Sequence, residues 1–153
     1  MGVSPVLMRN LAAVAAVALS AGALHAQATT KSVWEGIYAP EQADRGQAQY
    51  TQRCAACHGV TLGGTGEAPA LTGGEFVSHY DQLSVGDLFE RVRTTMPQND
   101  PGTLTRDQYA DVVAFLLKSN GFPAGSTPLD RRTEVLATIG IQAQKPAAAQ
   151  SGK

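Results

Sequence analysis

The run Cys54-Ala55-Ala56-Cys57-His58 decides how the rest of this chain is read. It is C-x-x-C-H, the spacing of a c-type heme attachment site. Each part has a chemical task. Two thiols add across the two heme vinyl groups, a separation of about one helical turn matches the distance between those vinyls, and the adjacent imidazole reaches the iron from the proximal side. Three other readings compete. A zinc site needs four ligands, usually in two paired sets; beyond residue 28 the chain has one cysteine pair and only His58 and His79. A thioredoxin-like redox pair would follow a strand in a βαβ pattern, whereas here a helical pattern precedes the pair and a glycine-rich stretch follows it. A structural disulfide leaves His58 unexplained, and its very short loop would constrain the fold little.

Met96 is the only methionine beyond residue 28, lies 38 residues after His58 and is followed by Pro97. A methionine on an apolar stripe is usually core filler. Met96 instead sits past the last member of the stripe formed by Val85, Leu88, Phe89 and Val92. A thioether at a helix-to-loop junction is well placed to be a sixth iron ligand. His79, within Val77-Ser78-His79-Tyr80, would give bis-histidine ligation instead. It reads as a loop or surface histidine, because Met96 has the better place in the chain. Arg91 and Arg93 read as solvated charges on the outer side of the helix, within reach of propionates or a partner.

Three helices frame these residues. The first is expected from Pro40 to Arg53: proline suits the first helical position, Glu41 complements the helix dipole, and Ala43, Gly46, Gln47 and Tyr50 share a face. The second runs over Ser84 to Thr95, opened by Ser84-x-x-Asp87 as a capping box and stopped by Pro97. The third runs over Thr105 to Ser119. Thr105-x-x-Gln108 caps it, Tyr109, Val112, Val113 and Leu116 form its apolar stripe, and Asn120-Gly121 ends it. Val60 to Gly74 reads as a loop, long for so small a domain, and such loops are usually functional. A core of three helices is marginal by itself, so a bound group is expected at its centre.

The chain starts with one arginine and no acid, continues with an apolar run from Leu11 to Leu24 and reaches Ala26-Gln27-Ala28. This is the layout of a secretory signal peptide; the run is shorter than the ~18 residues of a membrane span. Cleavage is expected after Ala28 or Ala26, giving a periplasmic protein, with membrane attachment only if the leader stays. The expected divisions are 1–28 leader, 29–39 lead-in, 40–121 main domain, 122–141 C-terminal extension and 142–153 disordered tail. The net charge of −1 shows no basic surplus, which argues against nucleic acid as partner.

The domain 40–121 resembles a class I bacterial cytochrome c. In that family a glycine and an aromatic on the first helix pack against an aliphatic and an aromatic on the last; Gly46 and Tyr50 match the first pair, Val112 and Phe115 the second. Ala68-Pro69-Ala70-Leu71 fits the family's proline and leucine after the heme histidine, and Met96-Pro97 its methionine–proline pair. The resemblance implies an all-α small cytochrome c fold, three main helices around one covalently bound heme c. It implies that the Pro69 carbonyl accepts the Nδ1–H of His58 and that Leu71 packs on the heme. It also implies one-electron transfer without catalytic residues, as a soluble carrier or as the cytochrome subunit of a periplasmic dehydrogenase. The partners would be redox proteins: such a dehydrogenase, and a terminal oxidase or other cytochrome. The extension after Gly121 departs from the family. An enzyme or gas sensor would instead need an open iron position with distal acid–base groups, against which Met96 argues. A heme-stabilised interaction module is a third alternative.

Overall fold

A computed structural model describes residues 30–66 and 68–147; the leader-like start lies outside them. Lys31–Ser32 (β1) leads into a 3₁₀ turn, Val33–Glu35. Pro40–Arg53 (α1) begins with proline in its first turn and is followed, at Cys54, by the single turn Ala55–His58 (α2). Gly74–Tyr80 (α3) comes next, then Val85–Thr95 (α4). Ser84 caps α4 reciprocally with Asp87: its hydroxyl accepts the Asp87 N–H (3.1 Å) while the carboxylate accepts the Ser84 N–H (2.8 Å). Arg106–Ser119 (α5) has the same arrangement between Thr105 and Gln108, and past its end Gly121 takes a φ of 80°, which glycine adopts without a Cβ penalty. Thr133–Leu136 (α6) and Ile139–Gly140 (β2) complete the order.

The three expected helices are all present, and the fold is helical apart from one two-residue ladder in which β2 pairs parallel to β1, Lys31 opposite Ile139. Two features differ from the sequence reading. Helix α3 was not expected. With only seven residues, about two turns, and one buried side chain, Phe76, it is too short for an apolar period to stand out in the sequence. Residues 142 and 143, assigned to a disordered tail, are tied to the body. The Trp34 indole donates to the Gln142 carbonyl (2.9 Å), and Asp81 accepts the Ala143 N–H (2.8 Å).

The centre of the fold is the crossing of α1 and α5. At Gly46 the backbones come so close that a Cβ would sit 1.8 Å from the Asp111 carbonyl oxygen and 2.9 Å from Phe115 Cβ. One turn on, Tyr50 and Phe115 rings meet at 5.3 Å between centroids. Arg45 spans the same crossing with a two-pronged bond to Asp111, 2.9 and 3.0 Å. None of the described helices is long and apolar enough to cross a membrane.

Candidate cofactor site

The helix crossing fixes the floor of a cavity of about 1310 Å³, lined among others by Val112 and Leu116 of α5 and Leu88 of α4. That exceeds the ~300–1,000 Å³ of most small-ligand clefts. The structure brings all six sequence-predicted residues, Cys54, Cys57, His58, Pro69, Leu71 and Met96, to this one space.

Cys54 caps α1 and starts α2, and its carbonyl accepts the N–H groups of Cys57 (3.1 Å) and His58 (3.0 Å). That one turn sets cysteine, cysteine and histidine in a fixed relation. Both thiols are free. Cys54 is half-buried, and burial pushes its thiol up to about 11, so it is protonated at neutral pH. His58 is buried, with Nδ1 2.9 Å from the Pro69 carbonyl oxygen. A carbonyl can only accept, so Nδ1 is the donor in this contact, and the nitrogen left for a metal is Nε2. Among the described residues no group of three or more His, Cys, Asp or Glu is placed to hold a metal ion.

The loop carrying Pro69 is held by side-chain hydrogen bonds that sequence reasoning missed. The Tyr50 hydroxyl donates to the Gly59 carbonyl at 2.6 Å, and burial pushes that phenol up to about 12. The Thr65 hydroxyl donates to the Cys57 carbonyl. Asn120, just past α5, donates to the Leu71 carbonyl (3.0 Å) and accepts the Gly73 N–H (3.1 Å). On the other wall, Met96 ends α4 and its carbonyl accepts the Tyr109 hydroxyl at 2.9 Å. The one sequence signal for these was chemical: a buried tyrosine hydroxyl must find a partner.

Charge of both signs lines the cavity, Glu75 and Asp100 being the carboxylates. Of the seven described arginines, five form ion pairs with carboxylates. The other two, Arg53 and Arg91, line the cavity together with His79. His79 lies on α3 rather than in a loop, is exposed, and meets the Tyr80 ring edge-on at 4.9 Å. Arg93, by contrast, is half-buried against Glu90.

The donor set suits an iron porphyrin: an imidazole with its second nitrogen engaged, a thioether, apolar walls and two thiols in one turn. Residues 41–116 match the family model for cytochrome c oxidase, cbb3-type, subunit III. No curated protein matches the chain. Among solved structures, the sulfane dehydrogenase SoxCD from Paracoccus pantotrophus is similar, with 22% identity and a TM-score of 0.49. The match covers 78% of this chain and 64% of the length of the solved one.

Proposed function

We propose, from the premise that residues 41–116 place this chain in the class I c-type cytochromes, that it is a one-electron carrier. Its heme would be held covalently by Cys54 and Cys57 and ligated by His58 and Met96. When bound, heme supplies a one-electron ferric/ferrous couple. The protein's own task is to fix both ligands and keep the site dry.

One observation carries the reading: the 2.9 Å contact from His58 Nδ1 to the Pro69 carbonyl, in a cavity that Met96 also lines. A carbonyl acceptor behind a ligating histidine fixes the ring and raises its basicity. Methionine–histidine ligation leaves no open position and favours a high potential, which suits transfer rather than oxygen or peroxide chemistry. The leader layout supports export to the periplasm, with cleavage after Ala28 or Ala26, and the redox partners would then be periplasmic. These include a dehydrogenase as donor, in which this chain would be the cytochrome subunit or the soluble acceptor, and a terminal oxidase or another cytochrome downstream.

The test is the visible spectrum with carbon monoxide binding. The native ferric protein should show the red-edge absorption band of a methionine–iron bond, and the ferrous form should bind carbon monoxide poorly. Met96→Ala should lose the band, bind carbon monoxide readily and keep its covalent heme. A native protein that lacks the band and binds carbon monoxide as readily as the variant overturns Met96 ligation.

A further inference from the structure

Electron transfer leaves the segment from Phe122 to Ile141 without a role, yet this segment is tied at both ends to the two ligand-bearing parts of the fold. At one end it is bound to α1 and the turn before it. Gln42, buried in α1, donates to the Leu129 carbonyl (3.0 Å) and accepts the Leu129 N–H (2.6 Å). The Tyr38 hydroxyl donates to the Phe122 carbonyl, and the Tyr38 carbonyl accepts the Gly125 N–H, both at 2.7 Å. Helix α1 leads directly into Cys54 and His58.

At the other end the segment lies along α4, which terminates in Met96. Backbone bonds join Ile141 to Leu83 (2.8 Å) and Gln82 to Ile141 (3.0 Å) just before α4 begins. In its first turn Gly86 abuts α6 so closely that a Cβ would lie 2.8 Å from Ala137 N and 3.1 Å from the Thr133 carbonyl oxygen. Half-way along, Glu90 accepts the Thr133 hydroxyl, and Arg106 of α5 donates to the same hydroxyl oxygen at 2.7 Å. The pins therefore cover the first half of the helix, from the residues before it to Glu90, and Gly86, Glu90 and Thr133 all lie outside the cavity lining.

We infer that this segment is a strap that holds α4 in place and so keeps Met96 on the iron, with Gly86, Glu90 and Thr133 as positioning residues. The inference rests on the reading of Met96 as ligand. A thioether is a weak ligand that an exogenous base can displace, and the apparent affinity for such a base scales with the fraction of molecules in which the ligand is off. The strap lowers that fraction by limiting movement of α4, whose end carries Met96, beside the Tyr109 hydroxyl that holds the Met96 carbonyl.

The test uses free imidazole as probe of the ferric holoprotein. Gly86→Ala, whose Cβ would push α6 away, should bind imidazole at least about tenfold more tightly than the native protein and show a weaker methionine–iron band. Thr133→Val, which removes the shared hydroxyl without adding bulk, should shift in the same direction and guards against failure of the first variant to fold. Lys118→Met, which removes only an exposed ion pair with Asp44 outside the strap and the cavity lining, should leave imidazole affinity unchanged. Covalent heme and far-UV helix content should persist in all three. Two strap variants that bind imidazole no more tightly than native, or an equal gain in Lys118→Met, overturn the inference. A native protein without the methionine–iron band overturns the ligand reading itself, and the strap falls with it.

Discussion

Arg91 shows what a single side chain contributes when it is not spent on an ion pair. Its helix neighbour Arg93 is bound to Glu90 at 2.6 Å, whereas Arg91 lines the cavity. A cation facing the site stabilises the less positive ferrous state relative to the ferric one. Arg91→Gln should therefore lower the reduction potential. A unit charge in partly screened surroundings is worth on the order of 1 kcal/mol, which for a one-electron couple corresponds to roughly 40 mV. Potentiometric titration of both proteins at low salt checks this; an unchanged potential would show that Arg91 is fully solvated, and a raised one would contradict the electrostatic argument. At this scale the sequence was legible where a local motif sets the spacing, as in Cys54, Cys57 and His58, which share one turn on the cavity wall. It was illegible where a side chain serves a distant backbone group. Asn120 holds the Leu71–Gly73 loop from 47 residues away, and nothing local to Asn120 announces that task.

Elements were legible in proportion to their length and caps. Helices α4 and α5 have apolar stripes and paired capping residues, and α1 has its proline start; all three lie where the pattern puts them. Helix α3 and the ties of the C-terminal segment were not legible, because short elements acquire their structure from tertiary contacts. The α1–α5 crossing gives a sharp prediction. Gly46→Ala places a Cβ 1.8 Å from a backbone oxygen, so one helix must move; overpacking of this kind costs roughly 3 kcal/mol. Denaturant unfolding of the holoprotein should show that loss, and a change below about 0.5 kcal/mol would contradict the close crossing. Glu90 gives a pH-dependent one. The Arg93 guanidinium, then the Thr133 hydroxyl, hold its carboxyl below the usual range despite opposing desolvation. A depressed folded value means the contribution is present above the unfolded value of 4.5 and is lost as pH falls through the folded one. Glu90→Gln should thus cost about 0.5 kcal/mol at pH 7, the group being partly solvated. The difference between the two proteins should vanish on acidification below that window. A gap that stays unchanged all through acid titration, down to the pH at which the native protein unfolds, would show that shape, not charge, is responsible.

The molecule as a whole is arranged around a space. The buried side chains form one cluster that runs from Val33 and Tyr38 through the α1–α5 crossing to Leu136 and Ile141. Leu62, Phe76, Leu88, Val112 and Leu116 belong to that cluster, and four of them, Phe76, Leu88, Val112 and Leu116, are buried yet line the cavity of about 1310 Å³. Glycine abundance and loop length in 60–74 hinted at a bound group from sequence alone; the size of the space and its join to the core required the fold. Small domains bury too little surface to be comfortably stable, so the wall residues need a partner across the gap. Replacing both Cys54 and Cys57 with alanine removes the proposed covalent anchors while leaving every helix sequence except the turn at α2 intact. The double variant should carry no heme that survives a denaturing gel. It should also lose most of its far-UV helical signal, since the α2 turn, the 59–73 loop and α3 would face an unfilled cavity. Circular dichroism with heme staining measures both. A variant that stains like the native protein would remove the thioether assignment. One that loses the stain but keeps full helicity and cooperative unfolding would show that the α1–α5 crossing and the C-terminal segment suffice to hold the fold without its cofactor.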